Sequence, residues 1–166
     1  MLWTPLKGVV RYAWSTNATP STGGAASTKG AWAEQFASTA FESYGMTIVV
    51  RNYGAAATNA QLAVDIGVGA ATAEVVVIAD LLAGNANIEG GVSWWFPLYL
   101  PAGTRISARG AGDRVNTTFG IIPTIYGGQG LPPWRVGGKV TTYGMGTVPA
   151  GTTIVPGTSA ALGAFA

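Results

Sequence analysis

Val92-Ser-Trp-Trp-Phe-Pro-Leu-Tyr-Leu-Pro-Ala-Gly-Thr-Arg-Ile-Ser-Ala-Arg109 is the stretch on which the fold turns. Trp94, Phe96, Leu98 and Leu100 share one parity, and Trp95, Pro97 and Tyr99 the other. An extended chain here has one face of large apolar groups and one amphipathic aromatic face. Pro101 presets a φ suited to a turn, and Gly103 supplies the positive φ that lets the chain restart. Arg105, Ser107 and Arg109 then alternate with Ile106, Ala108 and Gly110, which predicts a return strand with one polar face. The expected unit is a β-hairpin.

Working outward, Val75, Val76, Val77 and Ile78 form a β-branched run too short for a helix, and residues 73–82 are expected to be a strand buried on both faces. Leu62, Val64, Ile66 and Val68 alternate with Gln61, Ala63, Asp65 and Gly67, the pattern of a half-buried antiparallel strand. Met46, Ile48 and Val50 alternate with Thr47, Val49 and Arg51 in the same way, and Trp32, Glu34 and Phe36 with Ala31, Ala33 and Gln35. Towards the C-terminus, residues 111–115 read as a turn, and Phe119, Ile121 and Ile125 share a parity within a further strand. The glycines and prolines of residues 127–133 then break the pattern. Beyond them residues 139–143 read as one more strand, and residues 148–154 repeat the turn recipe of residues 100–106 without a true repeat.

About eight short strands with turn signals between them, and no helical periodicity, predict an all-β chain. The expected architecture is an antiparallel β-sandwich of jelly-roll type, with an up-and-down barrel as runner-up. Residues 1–30 are expected to be an N-terminal arm and flexible linker, because residues 15–30 are almost entirely small and polar. Residues 31–130 would then form the sandwich, and residues 131–166 a C-terminal extension packing on it or on a neighbouring subunit.

The chain of 166 residues contains neither cysteine nor histidine. Disulfides, Cys or His metal ligation, and Ser-His or Cys-His nucleophile pairs are thereby excluded. Charged residues make up 10% of the chain, and the net charge of +2 comes from scattered basic residues without a Lys/Arg cluster. A nucleic-acid footprint is therefore not expected. The first fourteen residues include Lys7 and Arg11 and no continuous apolar run, so no secretion signal is expected. Residues 67–83 are interrupted by Glu74 and Asp80, which argues against a membrane span.

A glycosidase needs two carboxylates in one cleft, but Glu34, Asp65, Glu74 and Asp80 fall in different segments and no local motif pairs them. Asn85, Asn87 and Glu89 have alternating spacing but lack the second acid that a calcium loop wants. Asn17 and Asn116 begin glycosylation sequons, which carry little weight without a signal peptide. No cofactor and no metal are expected, and the chain reads as a non-enzyme. The aromatic residues are the stronger candidates. Trp94 and Trp95 are adjacent, so in a strand they face opposite sides and one must lie on a surface or under a second layer. Trp94, Trp95, Tyr99 and Trp134 are candidate interface or ligand-stacking residues, with Arg105 and Arg109 as hydrogen-bonding partners on one strand face.

The runs Glu74-Val-Val-Val-Ile-Ala-Asp-Leu-Leu-Ala-Gly84, Trp95-Phe-Pro-Leu-Tyr-Leu-Pro-Ala-Gly-Thr-Arg-Ile-Ser-Ala-Arg109 and Trp134-Arg-Val-Gly-Gly-Lys-Val-Thr-Thr-Tyr-Gly144 resemble structural proteins of tailed-bacteriophage virions. The resemblance implies a jelly-roll particle component of decoration or tail-accessory type, and it supplies no functional residues to carry over. The expected role is a non-enzymatic structural component of a virion assembled in the host cytoplasm, foremost an outer capsid decoration or stabilising protein. Its expected partners are itself, as a homo-oligomer such as a trimer, and other virion proteins such as the major capsid protein. The alternative is a tail-associated receptor- or glycan-binding module with a host surface glycan as partner. Neither nucleic acid nor membrane is expected to be a partner.

Overall fold

The computed structural model describes residues 11–14, 19–51, 62–83, 92–112 and 115–127. Among them are eight strands: β1 (Arg11–Trp14), β2 (Ala33–Phe36), β3 (Ser43–Arg51), β4 (Leu62–Val68), β5 (Val75–Ala83), β6 (Val92–Phe96), β7 (Ile106–Gly112) and β8 (Gly120–Gly127). They form two four-stranded sheets, ordered β1-β8-β3-β6 and β2-β7-β4-β5, and every pairing is antiparallel. β1 bonds β8, β2 bonds β7, β3 bonds β6 and β4 bonds β5, so the chain is one long double ribbon rolled up about its middle. The β3·β8 and β4·β7 pairings close the roll into two sheets. This is the jelly roll, a β-sandwich and not an up-and-down barrel.

The core lies between the sheets. Met46, Ile48 and Val50 of β3 and Ile121 and Ile125 of β8 face Leu62, Val64 and Ile66 of β4, Ile78 and Leu81 of β5 and Ile106 and Ala108 of β7, all buried. Period-2 patterning specifies this arrangement, because a slip of one residue would turn each apolar set to the other face.

Residues 92–109 do not form a hairpin. β6 pairs with β3 in one sheet, while β7 pairs with β2 and β4 in the other, so the Pro97 to Arg105 segment crosses between sheets. The expected turn is nonetheless present. Gly103 has φ +81°, and its N–H donates to the Thr39 carbonyl at 2.8 Å. The face assignments also hold, because parity depends on the local backbone and not on which partner the strand finds. Leu98 and Leu100 are buried, while Trp95 and Tyr99 are exposed.

Three local readings need correction. In β2 the register shifts between Glu34 and Phe36, so Phe36 turns against the core and away from the face of Trp32 and Glu34. β4 is buried on both faces, with Ala63, Asp65 and Gly67 covered as well as the apolar set. β5, expected to be doubly buried, is an edge strand with Val75 65% exposed. Its two register irregularities against β4 and the positive φ of Asp80 (51°) disrupt the edge as a template for another chain.

The N-terminal boundary also moves. β1 is a strand of the sandwich, and residues expected to be linker are tied down: Thr22 N–H donates to the Thr117 carbonyl at 2.9 Å, Ser27 N–H to Gly112 at 2.6 Å and Gly30 N–H to Gly110 at 2.9 Å. Small residues here permit close backbone approach, which composition alone cannot tell from flexibility. The expected C-terminal extension, including Trp134, lies outside the described residues, as do the Asn85 to Glu89 loop and Asn17.

Ser43 is fully buried where β3 begins, and its backbone exchanges hydrogen bonds with Leu100 at 2.8 and 2.9 Å. Its Oγ has no partner among the described residues. Ser43→Ala removes an unsatisfied hydroxyl and is expected to raise stability by about 1 kcal/mol in chemical denaturation.

Candidate functional site

The two outer faces of the sandwich differ sharply in chemistry. On the β1-β8-β3-β6 sheet, Trp95 of β6 stands opposite Thr47 of β3 and is 54% exposed. Its indole lies across Gly45, where a Cβ would come within 2.0 Å of the ring, so only glycine admits the ring this close to β3. Tyr126 of β8 meets the same indole edge-on, with centroids 5.1 Å apart at 61°. A bulge between Ser43 and Gly45 lets Tyr44 join the outer face, where its ring lies 5.6 Å from Tyr99. The Tyr44 hydroxyl donates to Glu42 Oε1 at 2.6 Å. That bond, then partial burial and the nearby Glu42 charge, raise the Tyr44 pKa above the ordinary phenol value. Two aromatic pairs, Trp95 with Tyr126 and Tyr44 with Tyr99, thus lie on this face, and Thr47, Val49 and Arg51 of β3 share its outward parity. Trp94 points the other way and packs against the core.

Charge is concentrated on the β2-β7-β4-β5 sheet. Arg105 Nε donates to Glu34 Oε2 at 2.8 Å and Arg105 Nη1 to Glu74 Oε1 at 2.9 Å. Lys29 Nζ binds Asp65 Oδ1 at 2.8 Å and Asp80 Oδ1 at 2.6 Å. The other oxygen of Asp65 accepts from Arg109 Nε at 2.9 Å, and its Oδ1 also accepts the Asp80 backbone N–H at 2.9 Å. Arg109 stacks over Trp32 at 4.4 Å, and Trp32 in turn lies across Gly67. The topology therefore gathers four carboxylates from separate segments onto one face, each held by a cation of the same chain. A general acid or nucleophile needs a carboxylate free to face substrate, and these four are engaged. No group of three or more acidic residues suited to a metal ion occurs among the described residues.

Burial opposes ionisation of Glu74, whose side chain is 2% exposed, but hydrogen bonds from Arg105 and from the backbone N–H groups of Glu74 and Thr72 outweigh it. Its pKa is accordingly held below the ordinary carboxylate value, while that of Arg105 is raised by its bonds to Glu34 and Glu74. A lowered folded-state pKa contributes stability above the unfolded value, and that contribution disappears as pH falls through the folded value. Melting temperatures of the wild type and Glu74→Gln are therefore expected to differ at neutral pH, the variant being lower. The gap should close progressively as pH falls below about 4.5.

No family model, curated protein or solved structure matches the chain.

The candidate residues thus fall on opposite sides of the molecule. Trp95 and Tyr99 belong to the aromatic face, Arg105 and Arg109 to the ion-pair face, Trp94 to the core side, and Trp134 lies outside the described residues. The two arginines, candidates for hydrogen bonds at an interface, hold carboxylates of their own sheet. Tyr44, Gly45 and Tyr126 were missed. Gly45, just before the β-branched run of residues 47–50 in β3, was the available signal, because glycines within strands mark close approach by another group.

Proposed function

We propose that the chain is a non-enzymatic structural component of a bacteriophage virion, foremost an outer capsid decoration or stabilising protein that works through contacts with copies of itself and with the major capsid protein. The observation that carries this reading is the aromatic face of the jelly roll, where Trp95 stands half-exposed beside Tyr126, and Tyr44 lies beside Tyr99. Exposed Trp and Tyr on a face poor in charge favour protein contact. The jelly roll is a scaffold of viral capsid and lectin domains alike, so the fold supports the reading without deciding it. The engaged carboxylates of the opposite face weigh against hydrolytic chemistry. A tail-associated glycan-binding module is the second reading, favoured by the exposure of both Trp95 and Tyr99, since stacked aromatic rings also suit sugars.

Gold-labelled antibody against the chain, applied to intact particles from lysates of cells carrying its gene, tests both. Label over the head is the expected result. Label confined to the tail would transfer support to the glycan reading, and particles without label from a lysate that contains the protein would overturn the virion role.

A further inference from the structure

We propose that the outer face of the β1-β8-β3-β6 sheet is a two-fold interface with a second copy of this chain. The inference deepens the oligomeric part of the reading above and rests on it for the expectation that copies meet.

Five of the seven carboxylates and four of the nine basic side chains are described, and their pairing is uneven. Lys29, Glu34, Asp65, Glu74, Asp80, Arg105 and Arg109 are all used in ion pairs on the opposite face. Glu42 and Arg51, both exposed, make no ion pair with other described residues. These two opposite charges flank β3 on the aromatic face. Arg51 shares the outward parity of Thr47 and Val49, and Glu42 accepts from the outward Tyr44. They are separated along β3 by roughly 30 Å at about 3.3 Å per residue. A single sugar ring does not span that length. A second copy turned about an axis in the interface plane, crossing β3 at right angles near Thr47, sets each Arg51 against the other copy's Glu42. It does so twice, as an isologous contact requires. The same axis passes beside Trp95, the cross-strand partner of Thr47, so the most exposed large ring among the described residues becomes the buried centre and the charges its rim.

Sedimentation equilibrium of the full chain tests the proposal. A reversible dimer is expected, and Glu42→Arg and Arg51→Glu are each expected to raise its dissociation constant about tenfold or more, because each places like charges together twice. Mixing the two variants is expected to restore wild-type affinity in a heterodimer, since both contacts then pair opposite charges. Trp95→Ala is expected to weaken association with unchanged far-ultraviolet circular dichroism; if that variant does not fold, the charge variants carry the test. A chain monomeric at all concentrations, a trimer, or a dimer indifferent to both reversals would overturn the proposal, as would glycan-induced quenching of Trp95 in a monomer. Particles labelled by antibody but built from a monomeric chain would sink the two-fold interface and leave the virion role. A charge-dependent dimer absent from particles would do the reverse.

Discussion

Phe119→Ala is expected to lower stability by about 3–5 kcal/mol, the range for truncating a buried phenylalanine. Phe119 is the largest fully buried side chain among the described residues and packs at the entry to β8 against β7 and β4. The fit is tight, since a Cβ on Gly110 would come within 2.6 Å of its ring and within 3.0 Å of Leu62. Little room exists for neighbours to fill the void without moving strands that are themselves hydrogen-bonded on both sides. Against a total stability of about 5–15 kcal/mol this is a large fraction, and the melting temperature is expected to fall on the order of 10 °C. Gly110→Ala should also destabilise, by overpacking the same space. In combination with Phe119→Leu its cost should shrink, because the smaller ring-side volume admits the new methyl group. Strict additivity in urea denaturation would show that the two do not share a cavity.

Lys29→Met is expected to cost about 3 kcal/mol, the lower end of the range for removing one partner of a buried ion pair. The ammonium bridges Asp65 and Asp80, and without it two carboxylates face each other beneath a methyl group. Asp65 keeps Arg109 and one backbone N–H, whereas Asp80 loses its side-chain partner among the described residues. Adding Asp80→Asn to Lys29→Met should therefore recover part of the loss. The contrasting case is Glu34→Gln: Glu34 is 44% exposed beside Arg105, and the change is expected to cost less than about 1 kcal/mol. Equal costs for Lys29→Met and Glu34→Gln in chemical denaturation would refute the ranking.

The faces of the strands were legible because period-2 alternation is a local property. Met46, Ile48 and Val50, Leu62, Val64 and Ile66, and Phe119, Ile121 and Ile125 all turned to the core as expected. Strand partnership was not legible. Residues 92–109 carried good turn chemistry, yet a turn that ends a hairpin and one that carries the chain between sheets use the same proline and glycine. The outer burial of β4 was hidden for a different reason. Asp65 and Gly67 read as solvated because what covers them, Lys29, Trp32 and Arg109, comes from residues distant in sequence. Lys29 stood in a run of small polar residues with no pattern to announce a buried ammonium. Likewise the four carboxylates gave no pairing signal, because each met its cation only through the topology. Trp95 and Tyr99 were found by parity, whereas Tyr44 required a bulge that no alternation predicts.

The rolled double ribbon also dictates an order of events during synthesis. Among the described strands, β4 and β5 are the only consecutive pair that bond each other directly, so they can close as soon as the turn between them has left the ribosome. β3, β2 and β1 emerge earlier but must wait for β6, β7 and β8, and Arg11 meets Gly127 only after more than a hundred further residues have been made. Closure of such distant pairs is slow. Until it is complete, each early strand presents an open edge to every neighbouring nascent chain, so crowded polysomes are where this chain is most exposed to misassembly.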